Sequence, residues 1–474
     1  MPTPLTQPQF DVLHALVRAG DALTQRQIHE ATGMSPESVN AAVRELEARG
    51  CVVDRRIADA GLEALEPYRV SNAIIMAAGL SERFAPISYE RPKGTLRVRG
   101  EILIERQIRQ LHEAGIADIT VVVGYKKEYF FYLAEQFGVT IVINDEYLVR
   151  NNNGSLWRVR KRLGNTYICS SDDYFTSNPF EPYAYRAYYS AQYVEGPTQE
   201  WCISTGPDDR ITGATVGGRD AWTMLGHAYF DRAFSAAFTR ILEEVYDLPR
   251  TAPLLWESIY LDHIEELDMV IRRYPAGMIN EFDSVDEIRS FDPMFMENVD
   301  SKVFDTISSA LGCAKSQIRD FYPLKQGITN LSCYFAVDDR EYVYRHPGIG
   351  TDKIIDRRAE TAALELAGRL GLDRTFLASD PAEGWKISRF IPRARSLDVT
   401  NDAELARAMR MGRALHDSGE HLDRVFDPVT EGLRYESVLA RSGPIDVPGY
   451  AELQDKVPRA ASSPSRDGRA RRPP

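Results

Sequence analysis

A small-residue turn followed by two cationic side chains is the feature of this chain whose chemistry is easiest to read. The turn is Ala77-Ala78-Gly79-Leu80, and Arg83 and Lys93 follow it. Small residues let backbone N–H groups approach an anion closely, and the two cations supply charge to neutralise it. The spacing predicts a nucleoside triphosphate site, with the turn in contact with the nucleotide and Lys93 and Arg83 as catalytic residues.

The elements that must position these residues form an α/β domain. The apolar run Asn72 to Ala77 is typical of a buried parallel strand, and the turn follows it directly. A second strand, Thr166 to Cys169, brings Asp172 to a strand end. Parallel strands end at the same edge of a sheet, so we expect the acid and the cations to lie together.

The turn, Arg83 and the pair Pro92-Lys93 together resemble the signature of nucleotidyltransferases that act on sugar and alcohol phosphates. Further segments narrow the resemblance to the bacterial CTP:phosphocholine cytidylyltransferases, and it covers residues 70–295 as a set. These segments are Ile104–Gly115, Val121–Tyr125, Asn144–Tyr147, Asn151–Ser155, Ser171–Asp173 and Glu281–Asp283.

The resemblance implies a Rossmann-like fold with a mixed, mostly parallel sheet. It also implies transfer of CMP from CTP to phosphocholine, which yields CDP-choline and pyrophosphate. We assign Lys93 to the α-phosphate or the attacking phosphate and Arg83 to the leaving pyrophosphate. The turn, Ala77 to Leu80, is expected to read cytosine.

Two carboxylates from distant parts of the sequence are the predicted ligands of Mg²⁺. Asp172 and Asp283 match the family's metal positions, and Mg²⁺ prefers one or two carboxylates together with phosphate oxygens. The family usually shows Asp-x-Asp where this chain has Ser170-Ser171-Asp172, and Asp173 is an alternative ligand. Asp283 also suits the start of a capped helix.

The acceptor site is predicted from aromatic and polar side chains. A quaternary ammonium cannot donate hydrogen bonds, so aromatic faces and a nearby carboxylate hold it. Aromatic residues are also common in cores. The alternative acceptors are phosphoethanolamine and 2-aminoethylphosphonate, whose primary amines would favour carboxylates, or a sugar phosphate. Polar loop residues are the predicted phosphate or ribose ligands, although turn chemistry explains them equally well. The full predicted set is Trp201, Asp220, Trp222, Tyr229 and Trp256, with Asn144, Asn153 and Ser155.

Residues 1–69 resemble the winged helix-turn-helix regulators. Three amphipathic helices are followed by a wing, in which we expect residues 51–55 to pair with residues 67–70. Ser38, Asn40 and Arg44 are placed to face DNA. The acids at positions 37, 45 and 47 dilute the positive charge that phosphates require, which favours a structural or dimerisation module. A regulator that senses choline metabolites is the alternative for the whole chain.

Residues 296–457 resemble the N-terminal lobe of choline and ethanolamine kinases. The resemblance implies a nucleotide site at Gly327, Thr329, Asn330, Arg345 and Glu360, with Arg345 paired to Glu360. The kinase catalytic loop needs an asparagine after its acid, and neither His416-Asp417 nor His421-Leu422-Asp423 has one at that spacing. We therefore expect an incomplete, inactive α+β module, followed by a disordered tail at residues 458–474.

Composition limits the number of domains, the class of binding partner and the cellular location that we expect for this protein. The chain has 474 residues, which suits two to four domains, and a net charge of -12, which disfavours a general nucleic-acid binder. Its five cysteines show no Cys-x-x-Cys pair, and no apolar run approaches the roughly 18 residues of a membrane span. We expect a cytoplasmic protein with no membrane partner, while the sequence leaves its oligomeric state open.

Overall fold

The structure is a computed structural model that describes residues 4–324, 330–348, 350–351, 354–424, 427–441 and 443–454. It divides into two compact units, Met1–Val303 and Phe304–Pro474. The domain boundaries expected from the sequence stay predictions. No helix among the described residues is long and apolar enough to cross a membrane.

The first unit opens with the predicted winged helix. Hydroxyl side chains cap its first three helices, because Thr6, Thr24 and Ser35 each accept a hydrogen bond from a backbone N–H of the first turn. One apolar face of each helix packs into a common core. The elements are α1 (Gln7–Ala19), α2 (Gln25–Thr32), α3 (Pro36–Ala48), β1 (Val52–Val53), β2 (Arg56–Ile57) and α4 (Asp59–Leu65).

The predicted pairing of the wing is wrong. Strand β1 turns back at once and pairs with β2, not with residues 67–70. Asp54 and Arg55 both have positive φ, 48° and 63°, as a two-residue hairpin turn requires. The residues beyond β2 form α4, and Val70 instead donates a backbone hydrogen bond to the carbonyl of Pro182.

A shared carboxylate fastens the winged helix to the rest of the first unit. Glu181 lies 3.4 Å from His14, 3.3 Å from Arg18 and 3.1 Å from Arg272. Burial works to raise the pKa of Glu181, but the charges of Arg272, His14 and Arg18 outweigh it and hold the pKa below its ordinary value. Helix α1 is therefore joined to the sheet domain by ionic contacts.

A seven-stranded sheet, in the order β12-β10-β11-β8-β3-β6-β7, forms the centre of the first unit. Strands β3, β6, β7 and β8 are parallel, and β11 is antiparallel to both β10 and β8. The fold is thus the expected Rossmann-like α/β domain with a mixed, mostly parallel sheet. Its strands are β3 (Asn72–Ala77), β4 (Arg97–Val98), β5 (Glu101–Ile102), β6 (Ile119–Val123), β7 (Thr140–Ile143), β8 (Thr166–Ser170), β9 (Tyr174–Phe175), β10 (Tyr188–Thr205), β11 (Ile211–Phe230), β12 (Val270–Tyr274) and β13 (Ile279–Asn280).

Both faces of this sheet are covered, which explains the continuous apolar run of β3. Ile75 packs into one core and Ile74 into the core on the opposite face. The strand occupies the span predicted from the sequence. The helices are α5 (Leu103–Glu113), α6 (Tyr132–Phe137), α7 (Asn152–Val159), α8 (Arg232–Val245), α9 (Trp256–Asp262), α10 (Val285–Phe291), α11 (Phe295–Asn298) and α12 (Lys302–Leu311), the last of which crosses into the second unit.

The second unit contains a five-stranded antiparallel sheet in the order β14-β15-β16-β18-β17. The predicted ion pair between Arg345 and Glu360 is present, and Asn330 accepts a hydrogen bond from Arg357 at 3.1 Å. Gly327 and Thr329 lie outside the described residues. The elements are β14 (Ile318–Pro323), β15 (Asn330–Val337), β16 (Arg340–Pro347), α13 (Arg357–Arg369), β17 (Phe376–Asp380), β18 (Trp385–Arg389), α14 (Asp402–Asp417), α15 (Pro428–Ala440) and α16 (Tyr450–Gln454).

Candidate active site

A cleft of about 740 Å³ opens at the carboxyl ends of the parallel strands of the first unit. Its wall includes the turn Ala77 to Leu80 and both predicted cations, Arg83 and Lys93. Residues that follow β7 and β8 complete the wall, together with Glu281 and Asp283. The cleft lies where α/β sheets bind their ligands, at the edge where several strands end together.

Lys93 and Asp172 form a mostly buried ion pair in this cleft. The Nζ atom lies 2.7 Å from a carboxylate oxygen, and only 6% of the lysine side chain is exposed. Burial works to lower the pKa of Lys93, but the charge of Asp172, followed by those of Glu281 and Asp283, raises it above its ordinary value. The lysine is therefore held as a cation among carboxylates.

Arg83 and Asp283 form a second, more open pair. Their side chains meet at 2.6 Å although 200 residues separate them in sequence. Ser284, not Asp283, caps α10, so the Asp283 carboxylate is free to face the cleft. Each predicted phosphate-binding cation is thus neutralised by a predicted metal ligand.

Two further acids lie beside these pairs: Glu281, which the predicted site did not include, and Asp173, the alternative metal ligand. Burial and then the charge of Asp172 raise the pKa of Glu281 to about 7. Both carboxylate oxygens of Asp173 are buried without a hydrogen-bond partner in the described part of the chain. Burial first, then the charges of Glu281 and Asp172, raise the pKa of Asp173 well above its ordinary value. Asp173 follows Asp172 directly and Glu281 precedes Asp283 by two residues, and this closeness to predicted metal ligands is the signal by which Glu281 could have been found.

The predicted amide and hydroxyl residues separate into two roles. Asn144 and Ser155 line the cleft and share a hydrogen bond of 3.3 Å. Asn153 does not line it, because its buried amide donates to the carbonyls of Thr251 and Ala252. Asn153 therefore fastens α7 to a neighbouring loop.

The structure does not bring the predicted aromatic residues into the cleft wall. Tyr229 and Trp256 are fully buried core residues. Trp201 and Trp222 are half-buried and pack against the same core as Trp256. Asp220 is exposed and accepts a hydrogen bond from the backbone of Gly196 at 2.7 Å.

Carboxylates are the candidate metal ligands. Asp172 and Asp283 both line the cleft. In the described residues, no three His, Cys, Asp or Glu side chains are grouped closely enough to hold a metal ion by themselves.

Known proteins resemble two parts of the first unit. Residues 3–61 match the MarR family, and residues 73–169 match the MobA-like NTP transferase domain. The choline-phosphate cytidylyltransferase of Streptococcus pneumoniae is 34% identical over 220 residues, which are 46% of this chain and 96% of that protein. The 2-aminoethylphosphonate cytidylyltransferase of Lancefieldella rimae is 37% identical over 226 residues, which are 47% of this chain and 92% of that protein.

The chain belongs to this cytidylyltransferase family. A solved structure of the CTP:phosphocholine cytidylyltransferase from Streptococcus pneumoniae has 34% identity and a TM-score of 0.46, with 48% of this chain and 99% of that chain covered. The N-terminal module of this cytidylyltransferase is a MarR-like winged helix.

Arg150 is a further cleft residue of the cytidylyltransferase that the sequence did not single out. It follows β7 and lines the cleft beside Asn151 and Asn152. Its guanidinium stacks on the ring of Tyr246 at 3.7 Å. Nothing in the sequence distinguishes it from neighbouring surface arginines, because its stacking partner lies far along the chain.

Gly94 follows Lys93, and it allows the loop that contains both residues to pack closely against the end of β8, which carries Asp172. A Cβ at this position would meet the Ser171 Oγ at 2.7 Å and the Ser171 carbonyl oxygen at 2.9 Å. We expect Gly94→Ala to lower the free energy of unfolding by about 1–3 kcal/mol through overpacking. Urea denaturation measures this change.

Gly164→Ala is the matched control, because a Cβ at Gly164 would meet no atom within 4 Å. Its effect should stay within about 0.5 kcal/mol. Equal stability of the Gly94→Ala variant and the native chain would contradict the close packing of this loop.

Proposed function

We propose that this enzyme transfers CMP from CTP to a small phosphate or phosphonate that ends in an ammonium group. The observation that carries the proposal is a set of two ion pairs around one cleft, in which Lys93 pairs with Asp172 and Arg83 pairs with Asp283. A sensor of nucleotides needs cations for phosphate. Phosphoryl transfer requires, in addition, carboxylates positioned to hold a divalent ion beside these cations.

The proposed chemistry uses the two cations in different places. The acceptor's phosphoryl oxygen attacks the α-phosphorus of CTP, the bond to the bridging oxygen breaks, and pyrophosphate leaves with the electron pair. Lys93, buried next to the strand end, is suited to the α-phosphate, where negative charge builds up. Arg83 has a side chain that is 74% exposed, and it is suited to follow the departing pyrophosphate into solvent.

Mg²⁺ fits the carboxylates of this cleft. Two acids, Asp172 and Asp283, match the ligand number that Mg²⁺ takes from proteins when phosphate oxygens and water supply the rest. When bound, the ion would neutralise phosphate charge and polarise the α-phosphoryl group. Before substrates bind, the same two carboxylates pair with Lys93 and Arg83. The two cations therefore neutralise the negative charge of Asp172 and Asp283 in the cleft.

The acceptor's ammonium group distinguishes phosphocholine, which the sequence led us to expect, from 2-aminoethylphosphonate. A trimethylammonium group needs aromatic faces, whereas a primary ammonium donates hydrogen bonds to carboxylates. Glu281 lines the cleft, whereas none of the four predicted aromatic side chains does so in the described structure, and Phe84 and Tyr147 are the aromatic residues of the described wall. We therefore propose that primary amines such as 2-aminoethylphosphonate and phosphoethanolamine are preferred over phosphocholine.

A pyrophosphate-release assay of the full chain tests the activity. CTP, UTP, ATP and GTP are each combined with phosphocholine, phosphoethanolamine and 2-aminoethylphosphonate. We expect turnover with CTP and Mg²⁺, highest with a primary amine, and its loss when EDTA removes the ion. Absence of turnover with every pair would refute the proposed function, and higher kcat/KM for phosphocholine would refute the preference for primary amines.

Lys93→Ala tests the central cation. Because Lys93 is the cation buried beside the strand end, we expect kcat to fall by about a hundredfold or more with the fold retained. Lys161→Ala removes an exposed lysine outside the cleft and should leave kcat unchanged. Steady-state kinetics and circular dichroism measure both. A fully active Lys93→Ala variant would remove this lysine from the mechanism.

DNA binding by the winged helix is a second candidate function, which the MarR match over residues 3–61 supports. Ser38 and Arg44 are exposed on α3, but Glu37 and Glu47 share that exposed surface. A DNA-binding role predicts that the affinity for duplex DNA falls steeply with salt and that Arg44→Ala weakens it further. Fluorescence anisotropy against salt measures both, and binding with no salt dependence would argue against the role.

We also propose that the second unit is a kinase-like module without kinase activity. Its five-stranded antiparallel sheet and the Arg345–Glu360 ion pair support the likeness. The absence of an asparagine at the catalytic spacing after Asp417 or Asp423 supports inactivity.

A further inference from the structure

Arg150 lies in the cleft with its hydrogen-bonding capacity unused. Its guanidinium stacks on Tyr246 at 3.7 Å, and its Nε lies 3.7 Å from a carboxylate oxygen of Glu146. No hydrogen bond joins its guanidinium N–H groups to a residue in the described ranges, and its Nη1 is buried without a partner. Its ion pair with Glu146 is thus longer than those of Lys93 with Asp172 and of Arg83 with Asp283, at 2.7 and 2.6 Å.

This arginine is held in place although its donors are free. Stacking uses the face of the planar guanidinium and leaves the N–H groups along its edge available. Tyr246 is itself fixed, since it stacks on Trp157 at 4.0 Å and its hydroxyl donates to Glu146 at 2.6 Å. Gly154 leaves the space that the side chain needs, because a Cβ there would lie 3.2 Å from the Cβ of Arg150. The arrangement is a rigid set of hydrogen-bond donors that no protein group uses.

The surroundings of Arg150 suit a flat, largely apolar group. Leu148 and Val149 line this end of the cleft and are 67% and 69% exposed, and Tyr147 lines it as well. Apolar side chains cover the faces of a ring and contribute nothing to a phosphate group. This end of the cleft is therefore chemically different from the end that holds Lys93 and Asp172.

The two ends of the cleft lie at different parts of the sheet edge. Asp172 follows β8 and pairs with Lys93, whereas Arg150 lies in the segment that follows β7, the last strand of the sheet. Both groups line the same cleft. A nucleoside triphosphate with its α-phosphate at Lys93 has its base elsewhere in this cleft, and the apolar end beside Arg150 suits the base.

We infer that Arg150 acts together with the turn Ala77 to Leu80 on the base and determines the choice of CTP by donating hydrogen bonds to O2 and N3 of cytosine. Both atoms accept hydrogen bonds, and the parallel N–H groups of a guanidinium match such a pair. Uracil carries a hydrogen on N3, so it presents a donor where Arg150 also presents a donor. This inference rests on the proposed function in taking CTP as the nucleotide.

Calorimetric titration of the full chain with CTP and with UTP, separately, tests the assignment without needing turnover. The native chain should bind CTP more tightly than UTP. Arg150→Ala should raise the Kd for CTP about tenfold to a hundredfold, because it removes charge-assisted hydrogen bonds, and should change the Kd for UTP less than about threefold. Arg150→Lys keeps the charge without the planar pair of donors, and it should lose the preference for CTP as well. This variant decides the matter if Arg150→Ala does not fold.

Arg99→Ala is the matched control. Arg99 also stacks on an aromatic ring, at 3.7 Å from the centre of Phe291, but it lies outside the cleft wall. Its removal should leave both Kd values unchanged. Equal weakening of CTP and UTP by Arg150→Ala would overturn the inference in favour of a phosphate contact, and unchanged CTP binding would overturn it outright. Discrimination that depends on Arg150 in a chain without turnover would support the inference while refuting the proposed function.

Discussion

The buried pairing of Lys93 with Asp172 is the interaction on which the site depends. A lysine that is only 6% exposed requires an opposite charge close by, because removing either charge from water alone would be prohibitively costly. Asp172 follows β8, whereas Lys93 lies in the loop between β3 and β4, so the packing of this loop against the end of β8 sets their distance. Close packing of Gly94 against Ser171 maintains the same approach from the backbone.

Around this pair the cleft keeps opposite charges in balance before any substrate binds. Arg83 neutralises Asp283, while Glu281 adds negative potential that raises the pKa of Lys93 and of Asp173. A nucleotide that enters with a divalent ion can exchange partners, with its phosphates taking the cations and the ion taking the carboxylates. Charged groups thus define one end of the cleft, and apolar side chains with one stacked arginine define the other.

Several features of the fold followed from local sequence because local interactions decide them. Ser35 and Pro36 start α3, and the apolar run of β3 has the length and neighbours of a buried strand. The wing was predicted with the wrong partner, since its pairing depends on two consecutive residues, Asp54 and Arg55, that adopt positive φ without glycine. A turn of that kind has weak sequence preferences when glycine is absent.

The sequence by itself determined the turn at Ala77 to Leu80, the two cations and the acids at positions 172 and 283, because their spacing within a strand-turn pattern is characteristic. Only the tertiary structure decided which other side chains reach the cleft. Tyr229 and Trp256 are buried in the core, whereas Glu281 and Arg150 line the cleft. The physical reason is that burial and stacking depend on partners brought together by the sheet, such as Tyr246 beneath Arg150, and those partners lie far apart along the chain.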